Sequence, residues 1–245
     1  MSILSRRRFL GVSAAVPLAL YGNVRGNGPD LLAEPAPPER AVPDCLIVDA
    51  GEHCTLRESL TGFKRGLAAA SIRFESVAVE AVQPAGLIVV PGATLNSPGL
   101  AQAMHRLCSL GNTVLYESGA AYSEREAFAI EQQQLRNTFG LLVEAPAELW
   151  RARPGSNRPS YVHYRWPLRV MVRDFSRIIP VSGEASEVAR LDDLRVACRS
   201  QVRRGTFVFL GSPLGPHLGC GDPDAQSLLK AFWPASRSLD NTDSP

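Results

Sequence analysis

The chain has 245 residues, of which 45% are hydrophobic and 20% are charged, an ordinary composition for a globular protein. Its formal net charge is +2, but four arginines (Arg6, Arg7, Arg8 and Arg25) precede the first acidic residue, and the rest of the chain carries −2. This near-neutral remainder lacks the basic excess typical of nucleic-acid binding, so nucleic acid is excluded as a partner.

The N-terminal segment joins the arginine cluster to an apolar stretch from Phe9 to Leu20. This pattern resembles the twin-arginine export signal of bacteria, which implies that the chain folds in the cytoplasm and then crosses the twin-arginine translocase to a periplasmic or other extracytoplasmic location. This stretch has only twelve residues, interrupted by Ser13 and Pro17, and falls short of the roughly 20 apolar residues that span a bilayer, so no spanning helix is expected beyond an uncleaved signal anchor. We assign residues 1–25 to the signal segment and the Gly-, Pro- and Ala-rich residues 26–43 to a flexible linker.

The remaining residues suit one α/β domain over 44–235, followed by a disordered tail over 236–245. The first half predicts strand, helix, strand, strand, helix, strand and helix over residues 45–50, 55–70, 73–79, 86–92, 97–110, 113–118 and 123–137. Ser123 and Glu126 form the expected capping box of the last of these helices. Short apolar strands that alternate with helices predict a mostly parallel sheet covered on both faces.

The second half is richer in strands, which are predicted over residues 141–144, 168–173, 194–202 and 206–211. A final helix is expected to begin at Asp222 and Pro223, which supply its N-cap and first turn. Residues 150–166 show little periodicity and are interpreted as a long surface excursion.

Five cysteines are scattered along the chain, and an odd number leaves at least one unpaired within it. Cys45, Cys108 and Cys198 lie in apolar runs and are expected to be buried, whereas Cys54 and Cys220 lie in predicted loops.

Three segments, Leu87 to Gly92, Val114 to Tyr122 and Phe207 to Pro213, resemble the class I glutamine amidotransferase-like superfamily. The resemblance covers Cys45 to Trp233 and implies a flavodoxin-like three-layer sandwich. In that family the turn after the fourth strand presents a nucleophilic cysteine, and the last strand delivers a His-x-Glu pair. Here Ser118 stands in the cysteine position and the pair is missing, so the resemblance implies a relative without amidotransferase activity.

The first functional hypothesis is a small ligand or protein partner bound at the carboxyl ends of the strands, where open α/β sheets bind ligands. The loops at this edge are expected to form one cleft, with six candidate binding residues: Asp49, His53, Gly92, Ala93, Gly119 and Ser212.

The alternative hypothesis is a serine hydrolase that acts on an amide or ester. Ser118 would be the nucleophile, His217 or His53 the base and Glu117 the residue that orients it, with Gly119 and the turn at Gly92 as an oxyanion hole. A small residue is also needed wherever a strand turns sharply into a helix, and a salt bridge is the commonest fate of a carboxylate such as Glu117.

A metal site can be drawn from His53, Cys54, Glu117, His217 and Cys220, but their spacing matches no metal motif. Neither a phosphate loop nor a dinucleotide fingerprint occurs. The sequence therefore predicts no metal and no cofactor.

Overall fold

The computed structural model describes residues 43–149, 160–173 and 177–238. The signal segment and the linker, apart from residue 43, lie outside the described residues, as do residues 150–159 of the predicted excursion. The helices are α1 (Arg57–Ala69), α2 (Pro98–Ser109), α3 (Arg125–Phe139), α4 (Gly215–Cys220) and α5 (Pro223–Ser238). The strands are β1 (Cys45–Asp49), β2 (Phe74–Ala78), β3 (Leu87–Ala93), β4 (Thr113–Ser118), β5 (Leu142–Val143), β6 (Ala147–Glu148), β7 (Tyr161–Tyr164), β8 (Val170–Arg173), β9 (Arg177–Ile178), β10 (Val181–Ser182), β11 (Ser186–Leu191), β12 (Leu194–Val202) and β13 (Gly205–Leu210).

Nine strands form one open sheet in the order β2-β1-β3-β4-β13-β12-β11-β7-β8. The pairings from β2 to β13 are parallel, and those from β13 to β8 are antiparallel. The sheet is therefore mixed, and the prediction of a flavodoxin-like sandwich with a mostly parallel sheet is wrong. The physical reason is that two-residue turns join β11 to β12 and β12 to β13, and such turns can join only antiparallel neighbours.

The sheet separates two apolar cores. Helices α2 and α3 cover one face, where Ile88 and Val90 of β3 are buried, and α1, α4 and α5 cover the other, where Leu87 and Val89 are buried. This alternation follows from the two-residue period of a strand, and it explains why β3 is apolar at four consecutive positions.

Helices α1 and α4 pack closely because both carry glycine where they meet. A Cβ atom at Gly62 of α1 would overlap the carbonyl oxygen of Gly215 in α4, so only hydrogen fits there. This approach holds α4 against the end of β4, next to the predicted functional edge.

Several sequence predictions failed locally. Ser123 forms no capping box: α3 begins at Arg125, and the Ser123 hydroxyl donates to Ala120 O instead. Strand β7 falls inside the predicted excursion, and neither β11 nor α4 was predicted. By contrast, Asp222 does cap α5, since its Oδ1 atom accepts hydrogen bonds from the Asp224 and Ala225 amides at 2.9 and 3.0 Å.

The C-terminal helix α5 extends to Ser238, so the first three residues of the predicted disordered tail are helical. Within residues 43–149, 160–173 and 177–238, no helix has the length and apolar character needed to cross a membrane.

Candidate functional site

Ser118 ends β4 and is buried, with only 1% of its surface exposed. Its hydroxyl donates to Glu131 Oε1 at 2.5 Å and accepts from the Ala120 amide at 3.1 Å. The predicted base is not its partner, and a buried hydroxyl cannot meet a substrate carbonyl. The predicted oxyanion hole is also occupied, because the Gly119 N–H donates to Ala93 O at 2.8 Å. The serine hydrolase hypothesis is therefore wrong.

Glu117 is fully buried and joins β4 to the start of α4. Its Oε2 atom accepts from the backbone N–H groups of Leu214 and Gly215 at 2.7 and 2.8 Å. Burial raises the pKa of this carboxyl, while Ser59 and the three backbone groups of Gly215, Leu214 and Gly92 lower it. Neither Glu117 Oε1 nor Ser59 Oγ has a partner at strict hydrogen-bonding geometry among the described residues. Glu117 thus anchors the backbone and does not orient a histidine.

The expected single cleft does not form from the predicted binding residues. Gly92, Ala93, Gly119 and Ser212 are buried beneath the sheet edge. Of the six candidates, Asp49 and His53 line an open pocket. His217 lies in α4, on the side of the sheet covered by α1, α4 and α5.

That pocket has a volume of about 730 Å³ and lies at the carboxyl ends of β1 and β2, beside the amino-terminal turns of α2. We call it the β1–α2 pocket. Its polar lining residues are Asp49, Glu52, His53, Glu80, Ser97, Gln102 and Arg106. Three carboxylates and one guanidinium give the lining a formal charge of −2 with His53 neutral, which disfavours phosphorylated ligands.

His53 is held by its backbone and offers an unused side-chain atom. Its carbonyl oxygen accepts from the Thr94 amide at 2.8 Å, and its own amide donates to Ala50 O at 3.0 Å. Nδ1 is buried and has no hydrogen-bond partner among the described residues. Buried polar atoms rarely remain unpaired, so Nδ1 could reach a partner in the pocket only if the imidazole ring turned towards it.

The cysteines and the imagined metal ligands do not form a site. In the described part of the chain, no group of three or more His, Cys, Asp or Glu side chains is placed to hold a metal ion. All five cysteines are free, and burial raises the pKa of Cys45, Cys108 and Cys198 to about 12, which keeps these thiols protonated and unreactive.

Sequence reasoning overlooked Glu131, which is fully buried in α3 and bonded to Ser118. The available signal was its spacing: Glu131, Leu135 and Phe139 lie four residues apart on one helical face, and all three are buried. A glutamate in the apolar stripe of a helix indicates a buried polar network.

No protein-family model and no curated protein sequence matches the chain. Solved structures share its fold. A β-galactosidase from Bacillus circulans sp. alkalophilus is 16% identical with a TM-score of 0.55, and the match covers 83% of this chain and 32% of that one. A catalytic mutant of Gan42B, a GH42 β-galactosidase from G. stearothermophilus, is 15% identical with a TM-score of 0.57, covering 81% and 30%.

The cytoplasmic protein STM1381 from Salmonella typhimurium LT2 is 11% identical with a TM-score of 0.53, and the match covers 80% of this chain and 98% of that one. The chain thus spans about a third of the galactosidases but nearly all of STM1381. At these identities the likeness concerns the fold alone. The matched fold is that of part of a GH42 β-galactosidase, so assignment to the glutamine amidotransferase-like superfamily, and with it a degenerate amidotransferase function, is wrong.

Proposed function

We propose that the chain is a saccharide-binding domain whose ligand occupies the β1–α2 pocket. The observation that carries the proposal is the lining of this open pocket, in which carboxylate, amide, hydroxyl and guanidinium groups stand beside apolar residues such as Val79 and Leu100. Such a lining suits a neutral ligand with many hydroxyl groups, since carboxylates accept and guanidinium and amide groups donate hydrogen bonds to hydroxyls.

The structural neighbours support the saccharide class. Two of the proteins that share the fold are β-galactosidases by name, and this chain corresponds to about a third of their length. Fold alone does not imply function, so these neighbours support saccharide binding only by analogy. The polar lining of the pocket supplies the physical reason to expect a saccharide.

Binding without hydrolysis is the function we favour. Glycoside hydrolysis requires two carboxyl groups on opposite sides of the scissile bond. Glu117 and Glu131 are fully buried and occupied by hydrogen bonds, and the pocket carboxylates of Asp49, Glu52 and Glu80 are exposed to water.

Isothermal titration calorimetry of the full-length chain with galactose, mannose and methyl β-galactoside tests the proposal. We expect binding to at least one of these sugars, weakened tenfold or more by Asp49→Asn and by His53→Ala. Glu58→Gln is the matched control, because Glu58 is an exposed carboxylate on α1 outside the pocket lining. Equal affinity in all variants would place the sugar elsewhere, and release of nitrophenol from a nitrophenyl β-galactoside would reveal a hydrolase.

We further propose that the protein is exported through the twin-arginine route. The support is the arginine cluster followed by the short apolar stretch. Replacing Arg6 and Arg7 by lysine should leave the chain in the cytoplasmic fraction of a bacterial host, whereas the same change at Arg25, beyond the apolar stretch, should not affect export. Equal export of the Arg6 and Arg7 double variant and of the Arg25 variant would contradict the proposal.

A further inference from the structure

The carboxyl group of Glu131 lies in a buried network with more short contacts than protons. Leu95 N donates to Glu131 Oε2 at 2.9 Å, and Ser118 Oγ donates to Oε1 at 2.5 Å. The Tyr116 hydroxyl lies 2.8 Å from Glu131 Oε2 and also 2.8 Å from Ala93 O. These are four contacts, each of which needs one proton.

An ionised Glu131 leaves the network one proton short. Leu95, Ser118 and Tyr116 supply one proton each, and Tyr116 can donate to only one of its two acceptors at a time. The other contact would then join two oxygens without a hydrogen between them, in a site with no water access. A proton on Glu131 Oε2 satisfies every contact: Glu131 donates to Tyr116, and Tyr116 donates to Ala93 O.

The network is connected to the β1–α2 pocket through two adjacent amides. Leu95 N–H is held by Glu131, and Thr94 N–H is held by the carbonyl oxygen of His53. The carbonyl oxygen of Ala93 faces Tyr116. The backbone of Ala93 also forms an isolated antiparallel β-bridge with Cys54, the neighbour of His53. A change at Glu131 therefore acts on the segment that positions His53.

We infer that Glu131 is a neutral carboxylic acid in the folded protein, and that its deprotonation detaches Ala93 from Tyr116 and weakens ligand binding in the β1–α2 pocket. The second half of this inference rests on the proposed saccharide site, whereas the first half does not. On ionisation the Tyr116 hydroxyl turns its hydrogen bond from Ala93 O to the Glu131 carboxylate, because hydrogen bonds to charged acceptors are the stronger ones. Ala93 O then faces an oxygen lone pair.

The electrostatic surroundings agree with this assignment. Burial raises the pKa of Glu131 to about 7, with Ser118, Leu95 and Tyr116 opposing the rise, and Tyr116 itself has a pKa well above 10.0. Tyr116 is the titratable group that contacts the carboxyl among the described residues. The other charged side chains of α2 and α3, and that of Glu124 just before α3, are exposed to water: Arg106, Glu124, Arg125, Glu126 and Arg136. Of the remaining groups, His105 packs against Phe139, Cys108 donates to Thr206 O, and Glu117 bonds to α4.

Carboxyl carbon NMR of the full-length chain labelled in glutamate tests the first half directly. Among the glutamate carboxyl signals we expect one with a titration midpoint near pH 7, and this signal should be absent from Glu131→Gln. Ser118→Ala serves as a second variant if Glu131→Gln does not fold, and it should move the midpoint upward because it removes a donor that favours the carboxylate. A midpoint below about 5, or no upward shift in Ser118→Ala, would overturn the inference.

Sugar titrations at pH 5.5 and pH 8 test the second half. The wild type should bind at least threefold more weakly at pH 8, and Glu131→Gln, whose side chain cannot ionise, should bind equally at both pH values. A midpoint near 7 without any sugar binding would sink the proposed function and leave the neutral Glu131 intact. Equal affinity at both pH values in the wild type would overturn the coupling alone.

Discussion

The hydroxyl of Ser118 donates a hydrogen bond of 2.5 Å to the carboxyl of Glu131, and both side chains are shielded from solvent. The serine that ends β4 is therefore a partner in the packing of α3 against the sheet. Its small size suits the sharp turn from strand to helix, and its polar atom satisfies a buried acid.

The stability of the protein should fall as the pH rises from 5 to 8. Burial raises the pKa of Glu131 from 4.5 to about 7, so the folded state keeps a proton that the unfolded state loses within this window. Because the folded state binds more protons, the free energy of unfolding decreases with pH, by about 3 kcal/mol if the whole difference is realised. Urea denaturation at both pH values measures the change, and Glu131→Gln should remove it. A similar decrease in that variant would assign the effect to other groups.

Loss of the Glu117 carboxylate should destabilise the fold strongly. Glu117→Ala leaves the buried amides of Leu214 and Gly215 without an acceptor, at a cost of about 3 kcal/mol in the free energy of unfolding. Glu126→Ala, which removes an exposed carboxylate from the first turn of α3, should change stability by about 1 kcal/mol or less. Chemical denaturation distinguishes the two, and equal effects would mean that Glu117 does not anchor α4.

The glycine contact between α1 and α4 should tolerate no side chain. Gly62→Ala places a methyl group against the Gly215 carbonyl and should lower the free energy of unfolding by about 2 kcal/mol or more. Gly99→Ala is the matched control, since this glycine also lies in a helix but has no atom within 4 Å of the added Cβ, and it should stabilise α2 slightly. Thermal unfolding of both variants checks the contrast. Wild-type stability in Gly62→Ala would show that the helices can separate without cost.

Ligand charge should decide affinity in the β1–α2 pocket. The formal charge of −2 on its lining predicts that a phosphorylated monosaccharide binds more weakly than the neutral parent sugar. Asp49→Asn and Glu80→Gln together neutralise the lining and should narrow that difference. Calorimetric titration of both ligands at two salt concentrations measures it, and tighter binding of the phosphorylated sugar to the wild type would contradict the assigned electrostatics.

The elements that the sequence predicted best are those with local causes. The apolar run at Leu87 to Val90 and the Asp222 cap of α5 each depend on neighbouring residues, and each occurs close to its predicted place. The antiparallel half of the sheet was mispredicted because β7 and β11 were missed, and these two strands pair with each other although β8, β9 and β10 lie between them in the chain. Local periodicity carries little information about such pairings.

The candidate site was only partly predictable for a similar reason. Asp49 and His53 follow directly from the rule that ligands bind at strand ends, and both line the pocket. The Ser118 side chain points inward because it bonds to Glu131, which lies thirteen residues further along the chain in α3. Glu131 was not considered as a partner of Ser118 from the sequence. The contributions of Glu80 and Arg106 depend on how β2 and α2 come together, which a single sequence does not specify.

The most direct test of the saccharide-binding proposal is a backbone NMR titration of the full-length chain with methyl β-galactoside and with mannose. The account predicts saturable shifts for the amides around Asp49 to His53 and at the start of α2, and no saturable shifts at the opposite end of the sheet. Absence of shifts up to about 50 mM sugar, which corresponds to binding weaker than about 2 kcal/mol, or saturable shifts confined to other surfaces, would contradict it.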